Sequence, residues 1–270
     1  MPTGYIRKTL GQSTSPLLSS IGPWGGEFFL GEDNSTNFMG ARLELQPLAG
    51  LKLELLQTAQ FTGGLGSVGT ALIGNTNEGS GAEISKMAGF GLSYARNNNR
   101  LYMQAIGEDE AGGLPSCWMY LVGLENKLDV GGTRTSVNLE LVDTRINRTA
   151  NGWCGPNFAY NNQYHRYTND GVVMGAPIDS EGRSITLGVS HNFGSYNLEW
   201  GLGHYTINDQ ASASNRLSST RQSGMSYDVG MSRQLAQFKI SGRVTYQNFE
   251  LDRSEITRGV AIGIITEYSF

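Results

Sequence analysis

No apolar run in this chain of 270 residues approaches the ~20 needed for a transmembrane helix, so any membrane crossing has to be made by strands. Charge is sparse as well. Asp, Glu, Lys and Arg make up 16% of the chain, the net charge is -4, and the absence of a Lys/Arg cluster excludes a nucleic-acid partner. Two cysteines, Cys117 and Cys154, are too few for a disulfide scaffold or a zinc site, and no metal or cofactor is expected. Only His165, His191 and His204 could act as bases, and no Gly-x-Ser-x-Gly elbow is present, which argues against an enzyme. The opening residues, Met-Pro-Thr-Gly-Tyr-Ile-Arg-Lys, have no apolar core behind their charges and so form no secretory signal. The expectation is therefore a single domain over residues 1–270 that forms the later part of a longer protein.

What the chain does have is glycine and alternation. Its 37 glycines are close to twice the usual ~7%, without the period of collagen, and suit tight turns and crowded strands. The last twelve residues, Gly259 to Phe270, place Val260, Ile262, Ile264, Thr266, Tyr268 and Phe270 on one face and leaner residues on the other. An alternating strand ending on an aromatic residue is the ending of an outer-membrane β-barrel. Similar ten-residue segments recur upstream, such as Ala88, Phe90, Leu92, Tyr94 and then Trp118, Tyr120, Val122, Leu124. Across the 47–50 turn, apolar matching predicts Leu45 opposite Leu51 and Leu43 opposite Leu53, so that Glu44 meets Lys52 and Arg42 meets Glu54.

The connections alternate in length. Short turns at 47–50, 96–99, 129–132, 194–195 and 234–237 are interleaved with long loops at 62–84, 108–116, 144–183, 207–223 and 250–258. Long loops all at one end predict an antiparallel up-and-down transmembrane barrel, all-β, with about twelve strands, or fourteen if Tyr5 to Ile21 adds a hairpin. The direction of the final strand puts the long loops outside. Tyr94, Phe193, Tyr196, Phe238, Tyr268 and Phe270 then gather at the short-turn end as an interfacial girdle.

Four features could carry chemistry. Gly64-Leu65-Gly66-Ser67-Val68-Gly69 has dinucleotide-fingerprint spacing, but the residues after it read as further loop rather than a helix, so a flexible surface loop is preferred. His191 and His204 are expected opposite Leu198 and Ile185, at the two ends of one hairpin, which separates them as a catalytic pair. Glu108, Asp109 and Glu110 form the densest acidic stretch, assigned to an outer loop. There they could bind Ca²⁺ or sugar hydroxyls, with a solvated acidic loop as the equal alternative. Cys117 and Cys154 fall at outer strand ends or in outer loops, where a disulfide is open if the loop folds back within reach, free thiols being the alternative.

At this stretch a family resemblance emerges. Tyr102 through Ser116 with its Gly-Glu-Asp-Glu block, then Trp118-Met119-Tyr120 and Gly123-Leu124-Glu125, resembles the central block of the capsule assembly Wzi family. Ile21-Gly22-Pro23-Trp24, the stretch from Arg42 to Gln60-Phe61, and the Tyr-rich segment from Tyr160 to Ser184 resemble further family segments. The resemblance implies a Gram-negative outer-membrane barrel of eighteen strands behaving as a lectin for capsular polysaccharide, an exopolysaccharide, and helping capsule attach to the cell surface. Implied partners are that polysaccharide, outer-membrane lipid and lipopolysaccharide, and the barrel-assembly machinery through Phe270. Because sugar sites combine aromatic faces with planar polar groups, the expected ligand contacts are Glu108, Asp109, Glu110, Trp153, Tyr160, Tyr164, Arg166 and Tyr167. The alternatives are a general diffusion porin with 144–183 as its inward loop, or an outer-membrane hydrolase using His165.

Overall fold

The computed structural model describes residues 2–13, 15, 19–33, 36–64, 66–73, 84–111, 114–146, 154–162, 165–169, 171–254 and 256–268. Thirteen strands form one antiparallel sheet in chain order: β1 (Pro2–Gly11), β2 (Trp24–Asp33), β3 (Thr36–Leu48), β4 (Leu51–Phe61), β5 (Ile84–Arg96), β6 (Asn99–Ala111), β7 (Leu114–Val130), β8 (Thr133–Asp143), then β11 (Arg183–Phe193), β12 (Tyr196–Ile207), β13 (Gln222–Leu235), β14 (Phe238–Gln247) and β15 (Gly259–Tyr268). Between β8 and β11 a two-residue pair, β9 (Thr168–Asn169) and β10 (Val172–Val173), stands apart from the sheet. One helix, α1 (Ser67–Ile73), follows β4.

The alternation in the sequence becomes two faces of this sheet. Cross-strand rows such as Leu43, Leu55, Phe90 and Leu139, Leu187, Leu202 share one face, while Glu54, Ser93, Glu140, Ser190 and Glu199 share the other. The apolar face is bare: Leu55, Val122, Leu139, Val229, Ile262 and Ile264 are all exposed, the last at 76%. An uncovered apolar surface of that extent requires an apolar surrounding. On the polar face charges meet partners, as in Arg42–Glu54 at 2.7 Å, Arg243–Glu199 at 2.8 Å and Lys127–Glu125 at 3.1 Å. Tyr94, Phe193, Phe238 and Tyr268 sit exposed at the short-turn end, with the Phe238 and Tyr268 rings 4.9 Å apart. Phe270 lies outside the described residues.

Several expectations are revised. The described strands do not close a barrel, because β1 and β15 are the two ends of the strand order and do not pair with each other. The count is odd rather than even, since residues 2–11 form one strand instead of a hairpin. The 45–51 register is displaced by two residues: an irregularity between Leu45 and Leu48 makes Leu45 face Leu53 and Leu43 face Leu55. Glu44 therefore lies opposite Glu54, and Arg42 holds both carboxylates together by pairing with each. Residues 108–116 are no long loop. Asp109 pairs with Ser116 and Glu110 with Pro115, leaving two residues between β6 and β7, so short and long connections do not alternate throughout.

Helix α1 also departs from the expected loop. Ala71 joins Met39, Ala59, Phe61 and Ile84 in a buried cluster to which Val68, Leu72, Phe28 and Leu30 add. Gln57 donates to the carbonyls of Ala71 and Leu72, at 3.2 and 2.7 Å, and so satisfies two of the last carbonyls of the helix. The strands flanking α1, β4 and β5, are antiparallel, which removes the βαβ context a dinucleotide fingerprint needs. The histidine hairpin has the expected register, Ile185 opposite His204 and His191 opposite Leu198.

Candidate functional site

At the long-loop end the chain folds a cap over the polar face, built mainly from residues 154–182. The disulfide between Cys117 on β7 and Cys154 pins its start, with Cα atoms 5.4 Å apart. Glu108, at the far end of β6, accepts a hydrogen bond from the Tyr160 amide. Gln60 on β4 donates to the Thr168 carbonyl at 3.3 Å, and Thr144 bonds to the Asp179 carbonyl and accepts from the Gly182 amide. Beneath these polar ties Met87, Cys117, Met119, Ile146, Cys154, Ala159, Tyr160 and Tyr167 form one buried apolar cluster. The Tyr167 ring meets Phe38 edge-on at 5.5 Å.

The cap is locked laterally by a buried ion pair. Asp179 is wholly buried and accepts from the Arg216 amide at 2.8 Å and from its guanidinium. The same guanidinium donates to the carbonyls of Tyr160 and Arg166 and to the Asn161 side chain, at 3.0 to 3.3 Å. This joins the β8–β11 loop to the β12–β13 loop. Asn215 donates to the Ser180 carbonyl at 2.8 Å, and Arg253 of the β14–β15 connection donates to the carbonyls of Ala213 and Asn215 at 2.6 and 2.7 Å. A second chain of charges runs through Arg145, held by Asp143 at 2.7 Å and reaching Asp209 at 3.4 Å, which also accepts from Arg221 at 2.8 Å. The hydrogen bond from Arg221 is the foremost cause that lowers the Asp209 pKa from its ordinary value. Burial raises Glu181, whose carboxyl accepts from the Asn157 amide at 2.7 Å.

The expected contacts are therefore distributed unevenly. Glu108, Tyr160 and Tyr167 are buried structural members of the cap, whereas the Arg166 side chain is exposed. Burial pushes the Tyr160 phenol up to about 12 and drives Tyr167 further in the same direction, so both stay protonated. Asp109 and Glu110 lie on β6 with side chains outside the description, and Trp153 and Tyr164 lie outside the described residues. His165 is buried in the cap. His191 contacts Thr135 at 2.9 Å and accepts from Trp200 at 3.3 Å on the apolar face.

Between the cap and the sheet lies a half-enclosed cavity of about 460 Å³. Thr58, Gln104, Ile106, Met119 and Glu140 form its floor, and Tyr160, Tyr167, Met174 and Pro177 its roof. Sequence reasoning missed the residues that hold this arrangement. Asp179 and Arg216 stand 37 positions apart on different loops, and no periodicity links them. A weak signal existed in Gly123: a Cβ there would run into the Tyr102 ring, whose hydroxyl crosses to Glu140 at 2.9 Å and Asn138 at 3.1 Å.

Comparison with known proteins agrees with this geometry. Escherichia coli Wzi, described as an outer membrane protein involved in group 1 capsule assembly and a carbohydrate-binding β-barrel, superposes with a TM-score of 0.75. The identity is 22%, over 96% of this chain and 59% of that one. An uncharacterized 55.8 kDa protein of the Klebsiella pneumoniae cps region is 26% identical over 164 residues, 54% of this chain and 32% of that protein. The chain spans less than two thirds of either relative. The profile of the family described as Capsule assembly protein Wzi matches residues 7–256, nearly the whole sheet with its cap, and the chain belongs to that family.

Proposed function

We propose that the chain is part of an outer-membrane β-barrel that binds capsular polysaccharide at the cell surface without catalysis. The observation that carries this reading is the cap: one disulfide, one buried ion pair and three interlocked connections hold a polar surface rigidly at the long-loop end. Rigid presentation of polar groups lowers the entropy lost on binding a flexible polymer. The exposed apolar face suits lipid, and strands of 10 to 13 residues, such as β12 with 12, are long enough to cross a bilayer. Short turns then face the periplasm and the cap faces outward. Further strands, an odd number if the whole barrel is antiparallel, close the sheet between β1 and β15, in keeping with an eighteen-stranded family barrel. Outer-membrane lipid and lipopolysaccharide surround the wall, and Phe270 addresses the chain to the barrel-assembly machinery.

Among the expected contacts, Arg166 with Asp109, Glu110, Trp153 and Tyr164 reads the glycan, while Glu108, Tyr160 and Tyr167 hold the cap in place. A diffusion porin is the competing reading. It is disfavoured because the 154–182 segment packs an apolar cluster onto the sheet. Planar-bilayer recordings of the full-length protein test the choice. The lectin reading expects a silent barrel and loss of capsule retention on cells carrying Arg166→Ala with Asp109→Asn and Glu110→Gln. Steady open conductance with normal retention in that variant contradicts it.

A further inference from the structure

The cavity beneath the cap has an electrostatic character distinct from the rest of the polar face. Among the described residues its lining includes one carboxylate, Glu140, and no Lys, Arg or His. A second carboxylate, Glu108, lies buried just behind it on the Tyr160 amide. The cations of the polar face are engaged elsewhere. Arg42 pairs with Glu27, Glu44 and Glu54, and Arg100 lies over the Tyr102 ring with its guanidinium 3.5 Å from Glu125. Lys127, Arg134 and Lys239 line a separate recess of about 850 Å³ at the short-turn end, together with Asp129 and Glu199. The guanidinium groups of the cap itself are committed to its ties, Arg216 to Asp179 and Arg145 to Asp143 and Asp209.

The cavity is also shaped for a small ligand. About 460 Å³ lies within the range of ordinary ligand pockets, and its walls combine apolar and aromatic groups with a few polar ones, the usual make-up of such sites. Tyr160 and Tyr167, themselves almost wholly buried, border its roof, and the Gln104 amide on its floor has no hydrogen-bond partner among the described residues. Glu140 is held in place by the Tyr102 hydroxyl at 2.9 Å, which reaches it only because residue 123 is glycine. A positioned carboxylate oxygen and a free amide match the hydroxyls of a sugar, which both donate and accept. A ligand carboxylate entering here would meet Glu140 with no counter-charge among the described lining residues, in a partly dry site where like charges repel strongly.

We propose that this cavity binds an uncharged glycosyl unit through Gln104 and Glu140 and rejects uronate sugars. The inference rests on the polysaccharide-binding reading and adds to it a subsite with a stated substrate class. Full-length protein in detergent is titrated with a glucose hexasaccharide and, in parallel, with hexagalacturonate. The glucose oligomer is expected to bind at least about tenfold more tightly. Glu140→Gln keeps the shape of the site and is expected to bring the two affinities within about threefold, with an unchanged melting temperature. Gln104→Trp, which fills the cavity, abolishes binding of the glucose oligomer while the capsular polymer still binds the cap. Equal affinities in the wild type, or an unchanged ratio in Glu140→Gln, overturns the proposal. If the capsular polymer binds but neither hexamer does, the subsite falls and the lectin reading stands. If nothing binds, both fall.

Discussion

Replacing Asp179 by Asn preserves shape but removes the charge that Arg216 was brought in to meet. Asp179 has no exposed surface, and the Arg216 side chain is only 15% exposed, so the substitution leaves a guanidinium in a poorly hydrated place. Removing one member of a buried pair ordinarily costs about 3–5 kcal/mol. The lower end applies, because Arg216 keeps the Tyr160 and Arg166 carbonyls and the Asn161 side chain as acceptors. A loss of about 3 kcal/mol corresponds to roughly a hundredfold fall in protection, at ~1.4 kcal/mol per tenfold. Hydrogen exchange reads this at amides the cap buries: Tyr160, bonded to Glu108; Ala176, bonded to the Tyr160 hydroxyl; and Gly182, bonded to Thr144. Strand amides of β12 should exchange as before. A double variant that adds Arg216→Met should recover much of the protection, since it removes the orphaned charge. Protection at those three amides within threefold of the wild type in Asp179→Asn would refute the reasoning.

Three further outcomes follow from local geometry. Gly175→Ala places a Cβ against the Tyr160 ring and should cost the cap about 1–3 kcal/mol, read as faster proteolysis within residues 154–182 with the sheet intact. The Tyr160 phenol is raised from 10.0 to about 12, so the folded cap holds a proton that the opened one releases; stability is complete below pH 10 and falls by about 3 kcal/mol as pH rises to 12, visible as alkaline loosening by exchange. Gly123→Val displaces Tyr102 and should leave Glu140 unanchored, weakening glucose-oligomer binding about tenfold, while the apolar face and detergent requirement stay unchanged.

The strands were readable because half-buried strands repeat every two residues, and two chemically distinct faces follow from that period, whereas the count of thirteen does not, because residues 2–11 form one strand rather than a hairpin. The register at Leu45 was not, because an irregularity adds residues without altering the alternation on either side. The acidic run at Glu108 looked like a loop since its composition is polar and glycine follows it, yet it extends β6, paired with β7, beyond the point where the pairing with β5 stops at Gly107. Helix α1 has seven residues and no charged residue in its first or last turn, and its support comes from Gln57 and the sheet's apolar cluster, which a local window cannot contain. In the site, tyrosines were read as sugar platforms from residue type alone, which does not reveal that Tyr160 and Tyr167 are almost wholly buried in the cap. Asp179 and Glu181 adopt left-handed backbone, φ 56° each, a conformation the cap's many tertiary bonds sustain.

The most direct test is a titration of purified capsular polysaccharide against the full-length protein in outer-membrane lipid discs, wild type beside Arg166→Ala combined with Asp109→Asn and Glu110→Gln. The account predicts saturable binding by the wild type and at least tenfold weaker binding by the variant. Absence of saturable binding, or equal affinity in the two, would contradict it.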